Sequence, residues 1–285
     1  MVVLVQLVLI MHKFYLSYWS GGYRKTPDDF LIDMHKLCAL FLNKHYGECY
    51  LITDSVSKDK FKNLPFKEIT TELDEIKNVN TENWALGKLL TYKILAERKI
   101  PFFHIDYDVF LLKKLPEHFL ESDVLVQSIE KDVYGVYALD VIEKDIPTEY
   151  EFNPNKDDIA YNVGIFGGTN LSFIKEYAEQ GIRLTLDPRM KDLFLKQSTA
   201  TKWDVNNPSP GFGPACTCEQ YFLKVMSENK NVPITCLLPG SNHDKIVRER
   251  YSNEIGYVHL MSGKSKPHIV SEVYNKIRQF EQGIL

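Results

Sequence analysis

Apolar and polar positions alternate in short blocks along this chain, and the blocks predict strands and helices in turn. Residues 13–19, KFYLSYW, form an aromatic-rich run suited to a strand, and Gly21-Gly22 follows as a loop. Thr26-Pro27-Asp28-Asp29 then opens a helix, with Thr26 the expected N-cap and Pro27 in the first turn. Phe30, Met34, Leu37 and Phe41 recur behind it at helical spacing. CYLITD reads as a buried strand ending at Asp54, residues 83–97 as a helix, and PFFHIDYD as another strand. LLKKLPEHFL predicts a turn and short helix, and residues 123–130, DVLVQSIE, a further strand. Residues 131–160 are polar and weakly periodic, an expected excursion over one face of the molecule. YNVGIFGG predicts a strand, and Asn170 opens the helix LSFIKEYAEQ. Residues 200–214, rich in Gly, Pro and Asn, predict a mobile loop. A helix is expected from Glu219, short strands at PITCLLP and IGYVHLM, and a final helix after Lys266. Alternating strands and helices imply an α/β fold: a mostly parallel central sheet flanked by helices.

Length and charge narrow the function. The 285 residues suit one α/β domain, taken here as residues 11–285. The first ten, MVVLVQLVLI, are too short to span a bilayer and lack a basic leader, so they read as an extension or tag before Met11. A native membrane-proximal stub is the competing reading. No other segment reads as transmembrane. A net charge of -4 gives no basic footprint for nucleic acid. Cys38, Cys49, Cys216, Cys218 and Cys236 are odd in number and lack zinc-finger spacing. They are expected to be free thiols, which favours a cytoplasmic location.

The sharpest chemical signal is His104-Ile105-Asp106-Tyr107-Asp108, which ends an apolar run. Alternation along a strand points Asp106 and Asp108 to the same side. Ligands of open α/β sheets lie beyond the carboxyl ends of strands, and two carboxylates there make a hard-oxygen site for Mn²⁺ or Mg²⁺. The same Asp-x-Asp also opens the nucleophile motif of haloacid-dehalogenase-like phosphatases, but Phe110 stands where those have Thr or Val. Lys156-Asp157-Asp158 would then have to supply the downstream acidic site.

Four segments in order carry a closer likeness. WALGKLLTYKILAERKIPFFHIDYDVFLLKKLPEHF, YNVGIFGG, CEQYFL and HLMSGKSKPH together resemble the core of glycogenin and the related bacterial lipopolysaccharide sugar transferases. The likeness covers roughly residues 84–268. His268 stands in place of a Trp, Glu219 in place of an Asp, and the gap from His259 to Gly263 is one residue longer than in the family. The resemblance implies a GT-A, Rossmann-like fold and a metal-dependent glycosyltransferase. It implies that Asp106, Asp108 and His259 hold the metal, and that Asp106, Lys88, Gly263 and Lys266 contact the donor. It places Asn162, Glu219 and Gln220 at the reacting centre. The implied donor is a UDP-sugar, the implied outcome retention, and the acceptor a glycan, lipid-linked sugar or protein. Trp19 and Tyr23 are candidates to stack on the base, and Asp54 to hydrogen-bond it.

Each residue also has an ordinary structural reading. Lys88 fits a solvated helix face, Asn162 a backbone bridge, Glu219 a first-turn acid favoured by the helix dipole, and His259 a core histidine. Beside the transferase and the phosphatase stands a third expectation, an inactive sugar- or nucleotide-binding protein on the same fold.

Overall fold

The computed structural model describes residues 12–23, 27–79, 83–131, 136–152, 159–200, 212–240, 252–261, 264 and 266–285. Strand β1 (Lys13–Ser17) turns Phe14 and Leu16 to one side and Tyr15 to the other, so aromatic alternation seeds both cores. It lies between β2 (Cys49–Ile52) and β4 (Phe102–Ile105), parallel to both, and β3 (Glu68–Thr70) extends the parallel set beyond β2. Strand β5 (Val109–Leu111) leaves this sheet, whereas β6 (Leu125–Lys131), β7 (Ile159–Gly168) and β8 (Thr235–Cys236) complete it. Among the described residues the order is β3-β2-β1-β4-β7-β6-β8, with β7 antiparallel to both neighbours. A small second sheet pairs β5 with β9 (Tyr257–His259).

Helices cover both faces. On one, α1 (Asp29–Tyr46) packs with the C-terminal helix around Phe14, Leu37, Phe41 and Phe103. Its N-cap is Asp28, whose side chain accepts from Leu31 N at 2.9 Å, rather than the expected Thr26, which lies outside the described residues. On the other face lies α2 (Ala85–Glu97), which is buried nearly all round, Lys88 included. It is pressed between the sheet and α3 (Leu171–Leu186), and a Cβ on Gly181 would meet Leu89 methyls at 3.0 and 3.2 Å. Asn170 caps α3 as expected, accepting from Phe173 N.

Of the stretch after β6, residues 132–135 and 153–158 lie outside the described set, and the rest is partly built into the core. Tyr137, with Ile142 and Tyr150 from short helical turns, is buried against the α2 face. Of the predicted loop at 200–214, residues 201–211 lie outside the described set, and Phe212–Cys216 is helical. It runs into a π-turn, Thr217–Tyr221, that leads α4 (Phe222–Asn229); α5 (Pro267–Glu281) ends the fold. All five cysteines are free thiols. No described helix is long and apolar enough to cross a membrane.

Candidate metal centre

Strand β4 stops at Ile105, so Asp106 is the first residue beyond it. Its amide donates to Gly164 O on β7, and its carbonyl accepts from Val109 N, closing a tight turn into β5. The two aspartates therefore converge through this turn, not through the strand alternation that the sequence suggested. Strand β9 then sets His259 directly opposite Val109, and Leu260 N donates to Asp108 O at 3.0 Å. Ligand-capable atoms of Asp106, Asp108 and His259 consequently lie within 4.8 Å of one another. Two carboxylates and an imidazole are a donor set that suits a divalent cation, and the clustering fits such an ion.

Each aspartate also has its own lysine. Lys88, from inside α2, reaches Asp106 Oδ1 at 2.9 Å and Glu219 Oε1 at 2.9 Å. Lys264 reaches Asp108 Oδ2 at 2.7 Å and lies over the Tyr107 ring, 4.8 Å from its centroid. Repulsion between the carboxylates is thereby relieved by protein cations. Burial pushes the Asp108 carboxyl up, but the Lys264 ammonium beside it holds it well below the usual carboxylate range. Burial likewise opposes the charge on Lys88, yet Asp106 and Glu219 together raise its pKa. Glu219 is raised, because burial and the neighbouring Asp106 charge prevail over Lys88.

The remaining expected site residues divide. Glu219 is fully buried, accepts from Tyr92 Oη at 2.8 Å, and is joined to the centre through Lys88. Asn162 donates to Glu130 Oε2 at 2.8 Å and accepts from Gly164 N at 3.0 Å, which fixes it two residues along β7 from the centre. Gln220 is half-buried and accepts from Tyr137 Oη at 3.0 Å. Asp54 is buried, and its oxygens accept from Ser20 N and Ser57 N at 2.6 and 2.8 Å, a loop-tying role. Trp19 is also buried; Cβ atoms on Gly21, Gly22 or Gly87 would fall within 3.0 Å of it, so its ring fills the core and offers no open face. The Tyr23 side chain, Gly263 and the segment Lys156-Asp157-Asp158 lie outside the described residues. Lys266 is exposed at the N-cap of α5.

Two contributors escaped the sequence reading. Lys264 lies in the same stretch as Lys266, and spacing did not distinguish them. Gln127 accepts from Tyr257 Oη at 2.6 Å and contacts His259 Nδ1 at 2.7 Å. Its signal was present, as a polar residue within the apolar run DVLVQSI.

No curated protein matches the sequence. Solved structures with a similar course of the chain include mouse xyloside xylosyltransferase 1 in its apo form, at 8% identity and TM-score 0.41, covering 79% of this chain and 84% of that one. The apo bifunctional glycosyltransferase WbbM is similar at 9% identity and TM-score 0.39, over 63% of this chain and 35% of that one. A protein family described as a family of unknown function, DUF6734, matches residues 20–281, nearly the whole chain, and the protein belongs to it.

Proposed function

We propose that the protein is a metal-dependent glycosyltransferase that moves a sugar from a nucleotide-sugar donor, a UDP-sugar by the sequence resemblance, to a glycan, lipid-linked or protein acceptor. The observation that carries this reading is the cluster of Asp106, Asp108 and His259 within 4.8 Å at the carboxyl end of β4, with a lysine on each aspartate. Lys88 and Lys264 offset the charges of Asp106 and Asp108. A divalent ion then leaves an excess of positive charge, which a diphosphate matches. Bound Mn²⁺ or Mg²⁺ would supply Lewis-acid stabilisation of the charge that gathers on the departing nucleotide.

The protein's own groups have separable tasks. Lys88 keeps Asp106 in place and adds a fixed positive charge from a dry position, where such charge acts most strongly. Lys264, about a third exposed, is able to turn from Asp108 toward a donor phosphate. Asn162 is held at both ends of its amide and so presents a fixed polar edge for orienting donor sugar or acceptor. Gln220 serves the same end from the π-turn. Glu219 acts as a positioning residue through Lys88. Retention at the anomeric carbon follows from the resemblance and is read from the product by NMR.

The test is nucleotide release from a panel of UDP- and GDP-sugars with Mn²⁺, beside the Asp108→Ala variant. Metal-dependent release from one donor, lost in the variant, is the expected result. Phosphate liberated from a simple phosphoester, with no nucleotide bound, would replace this reading with a phosphatase. Nucleotide bound but never cleaved, with any acceptor, would leave a binding protein.

A further inference from the structure

Gln127 occupies an irregular place in the sheet. Val126 pairs with Phe166 and Ser128 with Asn162, so Gln127 alone spans the interval that Val163, Gly164 and Ile165 fill on β7. Such a register break re-aims a side chain. Here the amide is turned across Gly164 toward β9. A Cβ on Gly164 would lie 2.5 Å from Gln127 Oε1 and 2.7 Å from His259 Nδ1, so only glycine leaves the two groups in contact. The Oε1 atom takes the Tyr257 hydroxyl at 2.6 Å and faces His259 Nδ1 at 2.7 Å. The opposite imidazole nitrogen, Nε2, looks toward Asp108 Oδ1 at 3.4 Å.

We propose that Gln127 is a positioning residue that holds the Nδ1 proton of His259, leaving Nε2 bare and aimed at the position shared with Asp106 and Asp108. An amide oxygen only accepts, so the nitrogen that meets it must carry the hydrogen. With Nδ1–H so held, a neutral ring presents its Nε2 lone pair beside the Asp108 carboxylate, an arrangement that a shared cation would stabilise. Tyr257 steadies the amide, and the missing Cβ of Gly164 is the slot through which it reaches. Partners of this kind set tautomer and ring orientation in metal sites. The inference rests on reading the cluster as a metal centre, but it concerns the chain's own hydrogen bonds and is measurable without donor or turnover.

Mn²⁺ alone is titrated against the full-length protein and followed by electron paramagnetic resonance. Gln127→Met, which cannot accept, is expected to weaken Mn²⁺ binding by about 10–100-fold. Gln127→Glu, still an acceptor, is expected to stay within a few-fold of wild type. Gly164→Ala should behave like Gln127→Met. Imidazole ¹⁵N spectra of metal-free wild type should show His259 protonated at Nδ1, a readout that needs no variant to fold. Wild-type affinity in Gln127→Met beside weakened binding in His259→Ala overturns the positioning role and leaves the metal centre standing. An Nε2-protonated His259 in the wild type overturns it equally. Undiminished binding in both His259→Ala and Asp108→Ala overturns the metal centre, and the proposal with it.

Discussion

The centre has two sides built on different principles. On the α2 side, Asp106 is held by a buried charge, Lys88, whose second partner is the wholly buried Glu219. On the β9 side, His259 is held by neutral hydrogen bonds through Gln127 and Tyr257, and the nearby cation, Lys264, is partly open to solvent. Buried charge is costly and tolerable only when every member of its network stays in place. Neutral hydrogen bonds and a half-exposed lysine place less stability at risk. The α2 side is therefore expected to be rigid and bound up with folding. The β9 side, more open to solvent, is where a ligand is expected to engage.

The strongest break in that comparison is Lys88→Met. It leaves Asp106 and Glu219 without their shared cation in a buried site, and a loss of about 3–5 kcal/mol in unfolding free energy is expected. Lys264→Met also removes the cation from a buried carboxylate, Asp108, but the lysine is about a third exposed, so its loss should be smaller than that of Lys88→Met. Urea denaturation of the two variants side by side measures the contrast. Equal losses would mean that the sides do not differ in the way their burial suggests. Next in size is Asp108→Ala, which should lower metal-dependent nucleotide release by about 10²–10³-fold, the scale of one lost charge-stabilising group.

This contrast also marks what was legible in the sequence. The Asp-x-Asp ending an apolar strand, and a histidine near the C-terminus, pointed to the cluster before any fold was known. The succession of strands and the helix after Asn170 were legible for the same reason: periodic burial is written locally. The supporting groups were not. Asp106 and Asp108 meet through a turn whose hydrogen bonds run to β7, a partner that periodicity does not reveal. Asp54 and Trp19 had the chemistry of ligand-binding residues, but tertiary packing drew one into loop ties and the other into the core. Gln127 is neutral and acts across 132 residues of sequence, a separation no local pattern records.

A third test sharpens the electrostatic half of the comparison. Glu219 has a raised folded-state pKa, from burial first and then from Asp106. The fold consequently favours its protonated form. That contribution is complete below the unfolded carboxyl value, near about 4.3, and is lost as pH rises through the folded value. Glu219→Gln is neutral at every pH and lacks this slope. The melting temperature of wild type relative to the variant should therefore fall as pH is raised from 4 toward 8. A difference that grows in the other direction would mean that Lys88 keeps Glu219 ionised throughout. Asp108 has the opposite sign: its depressed value gives stability that is present above about 3.9 and lost as acid titrates it.

The smallest effect separates two lysines two positions apart. Lys264 touches Asp108 at 2.7 Å, whereas Lys266 is exposed at the start of α5. Lys266 has no side-chain capping bond, so Lys266→Ala should move stability by no more than about 0.5 kcal/mol, as surface substitutions usually do. The sequence resemblance assigns the diphosphate contact to Lys266, while the geometry brings Lys264 to the carboxylates. Donor affinity, measured by calorimetry with Mn²⁺ and UDP, decides between them. If Lys264 serves the diphosphate, Lys264→Ala should weaken UDP several-fold and Lys266→Ala should leave it nearly unchanged. The reverse pattern would mean that bound nucleotide draws the start of α5 toward the centre, and that the β9 side closes on its ligand from farther along the chain than Lys264.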